Sequence, residues 1–270
     1  MNNFEWSGRV AVITGASSGI GAALARALAK RGAAVALVAR REAKLREVSV
    51  EIARAGGRAS VHVCDVSERA RVDACVRDVL AAQGGRIDLL VNAAGFVHHG
   101  LLKDHPPDEA ERMVRTNLLG AFHCMQAVLP ALRARGEGWI VNVSSFAALV
   151  PQPDEALYAA TKAALSSLSE AAHYEFAPLG IHVMAVHPVL VRTEMFTPEV
   201  MARMPRGSEQ RFISAEDFAE RTLRALERGK RSVTIPRAFG AMALLRALAP
   251  GAIGRAVART RLSALDDVEK

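Results

Sequence analysis

The chain has 270 residues, half of them hydrophobic, with 35 basic residues against 28 acidic ones and three cysteines. That composition can fill one large core, which excludes a small disulfide-stapled scaffold and a highly charged disordered chain. Cys64, Cys75 and Cys124 are scattered, with no C-x-x-C or Cys/His ligand spacing, so they read as free thiols in a reducing, cytoplasmic setting with no metal site.

The opening MNNFEWSGRVAVITG has no basic stretch followed by an apolar run, so no secretory leader is expected. No uninterrupted apolar segment reaches the ~18 residues of a spanning helix. Strands are expected at RVAVIT (9–14), AVALVA (34–39), ASVHVC (59–64), IDLLVN (87–92), WIVNVS (139–144), IHVMAVH (181–187) and SVTIP (232–236). Helical patterns lie between them near 20–31, 42–55, 68–82, 108–134, 156–177 and 215–229. Ser214, three residues before Asp217, reads as the cap of the last of these. Continuous apolar strands separated by amphipathic helices imply a parallel sheet covered on both faces. The expected fold is a single doubly wound, Rossmann-type α/β domain of about seven strands spanning residues 1–236, with a helical extension over 237–270.

Charge is concentrated late. Residues 201–270 carry 14 Lys/Arg against 8 Asp/Glu, and residues 228–261 hold eight basic residues and no acidic one. A solvated basic surface or attraction to an anionic ligand, carrier or lipid surface accounts for this. Few aromatics and no nucleic-acid motif speak against nucleic acid as the partner.

Two local patterns carry chemistry. TGASSGIG sits between the first strand and the first helix, and Gly15, Gly19 and Gly21 allow backbone N–H groups to approach a pyrophosphate at a helix N-terminus. The second strand ends LVARRE, placing Ala39, Arg40 and Arg41 where NAD-selective sites often carry a carboxylate. Guanidinium there suits a 2′-phosphate, so NADP(H) is expected, with Arg40 the primary contact and Arg41 either a second contact or a solvent-facing residue. Later, EALYAATKAAL puts Tyr158 and Lys162 one helical turn apart. A cation held there favours the phenolate, so Tyr158 is expected to exchange a proton nearer neutrality than its usual pKa of ~10.

TGASSGIG, CDV (64–66), NAAG (92–95), TN (116–117), Ser145, YAATK and HPVLVRT (187–193), taken together and in order, resemble the short-chain dehydrogenase/reductase family from about residue 7 to about 236. The resemblance implies a catalytic set of Asn117, Ser145, Tyr158 and Lys162, with Ser145 favoured over its neighbour Ser144 by its spacing. Tyr158 would donate the proton to the substrate oxygen, Ser145 would steady that oxygen, Lys162 would tune the phenol and hold the nicotinamide ribose, and Asn117 would anchor a proton-returning water chain.

For the dinucleotide, the resemblance implies contacts from Gly15, Ser17, Ser18, Gly19, Ile20 and Gly21, and from Arg40 and Arg41. It adds Asp65 and Val66 at the adenine, and Asn92, Ala93, Ala94 and Gly95 at the adenine ribose. Tyr158, Lys162, Pro188, Val191 and Thr193 belong to the nicotinamide end. Val189 replaces the family's usual glycine; either the loop has ordinary backbone geometry here or the pocket is reshaped.

The segment 194–213 is expected to be a lid, and Met195, Phe196, Met201, Met204 and Phe212, with Phe146, Leu149 and Val150, suit a lipophilic ketone or aldehyde or equally pack the lid to the core. His98 and His99 read as ordinary loop histidines. The tail over 237–261 reads as two apolar helices broken near Pro250, serving as a membrane-surface hairpin, a pocket cover or a subunit contact, the first two being favoured by its arginines. The expected function is an NADPH-dependent carbonyl reductase, forming a homodimer or homotetramer through the helices at 108–134 and 156–177. The alternatives are an NAD-dependent alcohol dehydrogenase and a non-catalytic dinucleotide-binding sensor or scaffold.

Overall fold

Each apolar run marked as a strand forms one in the computed structural model, which describes residues 5–204 and 207–266. Positions 205 and 206 of the expected lid, and both ends of the chain, lie outside the described residues. The order begins β1 (Val10–Thr14), α1 (Gly19–Lys30), β2 (Ala34–Ala39), α2 (Glu42–Arg54), β3 (Arg58–Val63), α3 (Arg69–Ala82) and β4 (Leu89–Asn92). It continues with α4 (Pro107–Val114), α5 (Gly120–Arg135), β5 (Gly138–Val143), α6 (Ala156–Phe176) and β6 (Ile181–Pro188). A short α7 (Pro198–Ala202), α8 (Ala215–Glu227), β7 (Ser232–Ile235), α9 (Gly240–Leu248) and α10 (Pro250–Asp266) complete it. Among the described residues, no helix is long and apolar enough to cross a membrane.

The seven strands form one parallel sheet in the order β3-β2-β1-β4-β5-β6-β7. Alternate residues of each inner strand face opposite layers. Val35 and Leu37 join α1, α2 and α8 on one side, while Ala36 and Val38 join α3, α5 and α6 on the other. Burial on both sides is why these strands read as unbroken apolar runs rather than alternating ones. At the centre, Thr14 lies opposite both Val38 of β2 and Asn92 of β4. The chain winds outward from β1 in one direction to β3 and then in the other to β7, so the loops after β1 and β4 diverge and leave a crevice at the strands' carboxyl ends.

The continuous helical pattern over 108–134 resolves into α4 and α5 joined by a π-helical turn, Arg115–Leu119. An apolar periodicity averaged over several turns does not register one inserted residue, which is why the break is silent in the sequence. The turn contains the buried Asn117, whose Oδ1 accepts from the Phe96 N–H (3.0 Å) and whose Nδ2 donates to the Phe96 carbonyl (2.9 Å). The loop after β4 is thereby clamped to the helical layer. The Ser214 cap forms as expected, its Oγ accepting from the Asp217 N–H at 3.0 Å.

Candidate active site

The crevice opens into a cavity of about 750 Å³ lined by the glycine-rich loop, the ends of β2 through β6, the lid and the tail. Close backbone approach defines its phosphate end. Gly15 has φ +66°, and a Cβ there would lie 2.8 Å from the Ala93 carbonyl carbon, while a Cβ on Gly21 would collide with the Gly15 carbonyl. Thr14 Oγ1 accepts from the N–H groups of Ala93 (3.1 Å) and Ala94 (3.2 Å), drawing the β1 and β4 loops together. Ser18 precedes α1 in extended conformation and makes no side-chain cap, so the helix N-terminus faces the cavity uncapped. Ser17, Gly19 and Ile20 line the same wall. A loop that only glycine can close, beside an uncapped helix start, fits a pyrophosphate.

Both arginines line the cavity, and both side chains are exposed. Arg41 folds back over the loop, with Nη2 donating to Ser18 Oγ at 2.6 Å and Ser17 Oγ at 3.1 Å, and Nη1 to Glu194 of the lid at 3.1 Å. Arg40 is 64% exposed, with its guanidinium 3.7 Å from Asp65 Oδ2. Arg41 is the extended residue capping α2, which turns its side chain toward the β1–α1 loop. Asp65 accepts from the backbone and hydroxyl of Ser67 (3.0 and 2.7 Å). Burial opposes its ionisation, yet those bonds and Arg40 hold its carboxyl below the usual range.

Val66, Ala93, Ala94 and Gly95 line the cavity beyond Asp65. A Cβ on Gly95 would sit 3.1 Å from Asn117 Oδ1 and 3.2 Å from Lys162 Nζ, so the loop passes where no side chain fits comfortably. Asn92 is engaged through its side chain. It sits opposite Asn142 in the β4–β5 register, is buried, and donates to Asn142 Oδ1 (2.8 Å), inside the sheet's helical layer rather than on the cavity wall. Pro188, Val189, Val191 and Thr193 line the wall after β6. Among the described residues the only non-glycine with positive φ is Asp154, so Val189 keeps an ordinary backbone and its N–H donates to the Ile235 carbonyl at 3.1 Å.

At the other end, α6 presents Tyr158 and Lys162 on one face toward Ser145, which follows β5. Ser145 Oγ accepts from the Ala147 N–H (3.1 Å) and lines the cavity beside the Tyr158 phenol. Ser144 instead donates to the Lys162 carbonyl (2.8 Å). Lys162 Nζ donates to the Val143 carbonyl at 2.9 Å and lies 5.9 Å from the Tyr158 ring centroid. Here the electrostatics reverse the sequence expectation. Burial pushes the Tyr158 phenol up to about 12, the Ser145 bond pulling against it and the Glu155 carboxylate adding to it, and burial pushes Lys162 down to about 8. Desolvation outweighs the pull of Ser145 on the phenol. Asn117 reaches this centre through Gly95 and through a bond to Thr161 Oγ1 (3.3 Å) rather than lining the cavity itself.

The chamber beyond Tyr158 is mostly apolar, with Gln152 and Arg211 among its polar lining. Phe146 and Val150 join Met195, Phe196 and Met204 of the lid and Phe239 and Met242 of the tail. Phe212 packs edge-on against Phe196, with ring centroids 4.7 Å apart, and Leu149 contributes its carbonyl to Arg246 (2.9 Å). The tail thus forms part of the pocket wall, fastened also by the Phe146–Phe239 ring contact at 5.7 Å. Absent from the sequence reading are Glu155, Asp154 and Arg261. His99, read there as a plain loop residue, is 11% exposed in its side chain and lies 3.5 Å from both acids. Arg261 and Asp154 are 107 residues apart, and no local pattern links them.

Residues 9–203 match the family model for short chain dehydrogenases. An uncharacterized oxidoreductase of Staphylococcus haemolyticus is 37% identical over 193 residues, covering 71% of this chain and 81% of that protein. The solved structure of 3-ketoacyl-(acyl-carrier-protein) reductase from Brucella melitensis, complexed with NADH, matches with a TM-score of 0.73 at 34% identity, covering 81% of this chain and 91% of the other. A metagenomic short-chain oxidoreductase in complex with NADP matches at 0.69 and 38% identity, covering 80% and 89%. Sequence and fold agree over the same span, and the chain belongs to the short-chain dehydrogenase family of oxidoreductases, which bind a nicotinamide dinucleotide.

Proposed function

We propose that this protein is an NADP(H)-dependent reductase of the carbonyl/secondary-alcohol couple, acting on a lipophilic ketone or aldehyde. The observation that carries the reading is the convergence of Ser145, Tyr158 and Lys162 on one cavity wall, with the Lys162 ammonium 5.9 Å from the Tyr158 ring, at the mouth of a largely apolar chamber. Gly15 to Gly21 would hold the pyrophosphate, Asp65 and Val66 the adenine, and Thr193 and Pro188 the nicotinamide end. The bound dinucleotide supplies hydride. Tyr158, protonated up to about pH 12, delivers its proton to the substrate oxygen while Ser145 donates a hydrogen bond to the same atom. The Lys162 ammonium, anchored on the Val143 carbonyl, stabilises the phenolate left behind. Asn117 holds the Gly95–Phe96 backbone against Lys162 and anchors the path by which a proton returns.

Cofactor choice rests on Arg40 and Arg41 at the end of β2, where Ala39 offers no carboxylate to repel a 2′-phosphate. A second reading, NAD(H), is favoured by one contact: the Asp65 carboxylate 3.7 Å from Arg40 occupies part of that guanidinium. The apolar lining supports a greasy substrate. Its approach from a membrane surface is supported by α9, where Leu244, Leu245 and Leu248 are 62, 53 and 76% exposed within a basic segment free of acidic residues.

A carbonyl panel followed by NADPH absorbance tests the activity. Turnover of at least one apolar ketone or aldehyde is expected, and Tyr158→Phe should lose ~10³-fold in kcat while still binding NADPH; retained turnover in that variant rejects the mechanism. The pH profile has a definite sign. Tyr158 remains a donor throughout, whereas Lys162 loses its charge as pH rises through about 8, so kcat/KM for reduction should be level below that value and fall above it. A profile level to pH 10 contradicts the role given to Lys162. Alanine at Arg40 and at Arg41 should together cost NADPH ~10- to 100-fold in KM and leave NADH little changed, the loss of charge-assisted bonds setting the scale; equal losses with both cofactors favour the NAD(H) reading. In flotation, the full chain should rise with anionic vesicles and not with neutral ones, and a Leu244→Glu, Leu248→Glu variant should remain below; no retention of the parent chain removes the membrane contact.

A further inference from the structure

Four segments distant in sequence meet one helical turn ahead of Tyr158. Asp154 has φ +73°, a conformation that a non-glycine residue holds only where its surroundings impose it. Its carboxylate is 1% exposed and accepts from Arg203 Nη1 of the lid (3.0 Å) and Arg261 Nη2 of α10 (3.2 Å). Arg261 also donates through Nη1 to the Arg203 backbone carbonyl (2.9 Å), and its Nη2 lies 3.7 Å from Glu155 Oε1. His99, from the loop after β4, completes the cluster between the two acids.

Arg261 is only 3% exposed, whereas Arg255 and Arg259 on the same helix are exposed. Hydrophobic burial does not turn a guanidinium inward; pairing does. The chamber walls on either side of the cluster are Met204, next to Arg203, and Ala256, Val257 and Thr260, one or two turns from Arg261 or beside it. One buried ion cluster therefore holds both the lid and the tail to the corner where the helix bearing Tyr158 begins.

We propose that Arg261 is a positioning, specificity-determining residue for the reaction: it latches α10 and the lid to the Asp154–Glu155 corner and so sets the size of substrate the closed chamber accepts. This rests on the carbonyl-reductase reading for its consequence but not for the latch itself. With the latch intact, the walls hold a compact ketone against Tyr158 and Ser145 and exclude a bulky one. With it broken, α9 keeps the Phe239 and Arg246 contacts while α10 loses its ion-pair anchor, and the far wall yields.

The test uses the full chain with Arg261→Met, Arg261→Lys and Asp154→Asn, each checked for folding by circular dichroism. Hydrogen exchange of α10, measured with no substrate, should accelerate ~100-fold in the Met and Asn variants and much less in the Lys variant, as expected when a buried pair is broken or kept. In turnover, Arg261→Met should raise KM for a compact ketone about tenfold with kcat nearly unchanged, and should raise kcat/KM for a bulky ketone by a similar factor, shifts of the size that one or two methylenes of pocket fit command. Arg261→Lys should restore part of the parent ranking. Unchanged exchange in α10, or an unchanged size ranking in variants whose α10 does loosen, overturns the proposal. Should Arg261→Met fail to fold, Asp154→Asn carries the same comparison from the other partner. If the parent chain reduces no carbonyl at all, the reductase reading fails while the exchange measurement still decides the latch.

Discussion

Removing a phenol and an ammonium from water one helical turn apart sets the terms for the whole site. Burial favours the neutral form of each, so the two pKa values move apart, the phenol up to about 12 and the ammonium down to about 8, rather than the phenol moving down. The proton consequently rests on Tyr158, and the counterweights are few: the Ser145 hydroxyl for the phenol and the Val143 carbonyl for the ammonium. Both come from the end of β5, so the strand fixes where the helix's two functional groups are held. A phenol held above its usual pKa keeps its proton at any physiological pH.

That corner faces a crevice only because the sheet is wound outward from β1 in both directions. The crevice would fill if its loops carried side chains. Gly15 and Gly21 touch backbone on opposite sides of the same turn, and Gly95 passes between Asn117 and Lys162. The π-helical turn at Asn117 serves the same geometry from the helical layer, placing an amide where both its oxygen and its nitrogen grip Phe96. Cofactor loop and proton-handling residues are thus joined through backbone contacts, and a change at Gly95 would be felt at both.

Much of this was legible in the residues. Apolar runs marked all seven strands, TGASSGIG marked the phosphate loop, and the Tyr158–Lys162 spacing marked the face of α6. What stayed hidden depends on orientation and burial, which spacing does not encode. The direction of the Tyr158 shift depends on how much water the fold removes. The turn of Arg41 toward the β1–α1 loop depends on its place as the cap of α2. Asn92 and Asn142 find each other through strand register, and Arg261 finds Asp154 across the whole second half of the fold.

The tail shows how polar contacts can decide what an apolar helix buries. In α9, Ala241, Leu244, Leu245 and Leu248 fall on one face by their spacing, and that face is exposed, while Arg246 on the other side reaches the Leu149 carbonyl. In α10, Arg261 turns inward to two carboxylates while Arg255 and Arg259 stay outside. An amphipathic hairpin free to rotate would bury its leucines and expose its arginines. With Arg246 and Arg261 turned inward, the leucines of α9 stay out, so the same two guanidiniums that help form the pocket wall also hold an apolar stripe outward in a segment of positive charge. The orientation of the tail, set by these two guanidiniums, rather than its hydrophobicity, therefore decides which of its faces borders the pocket.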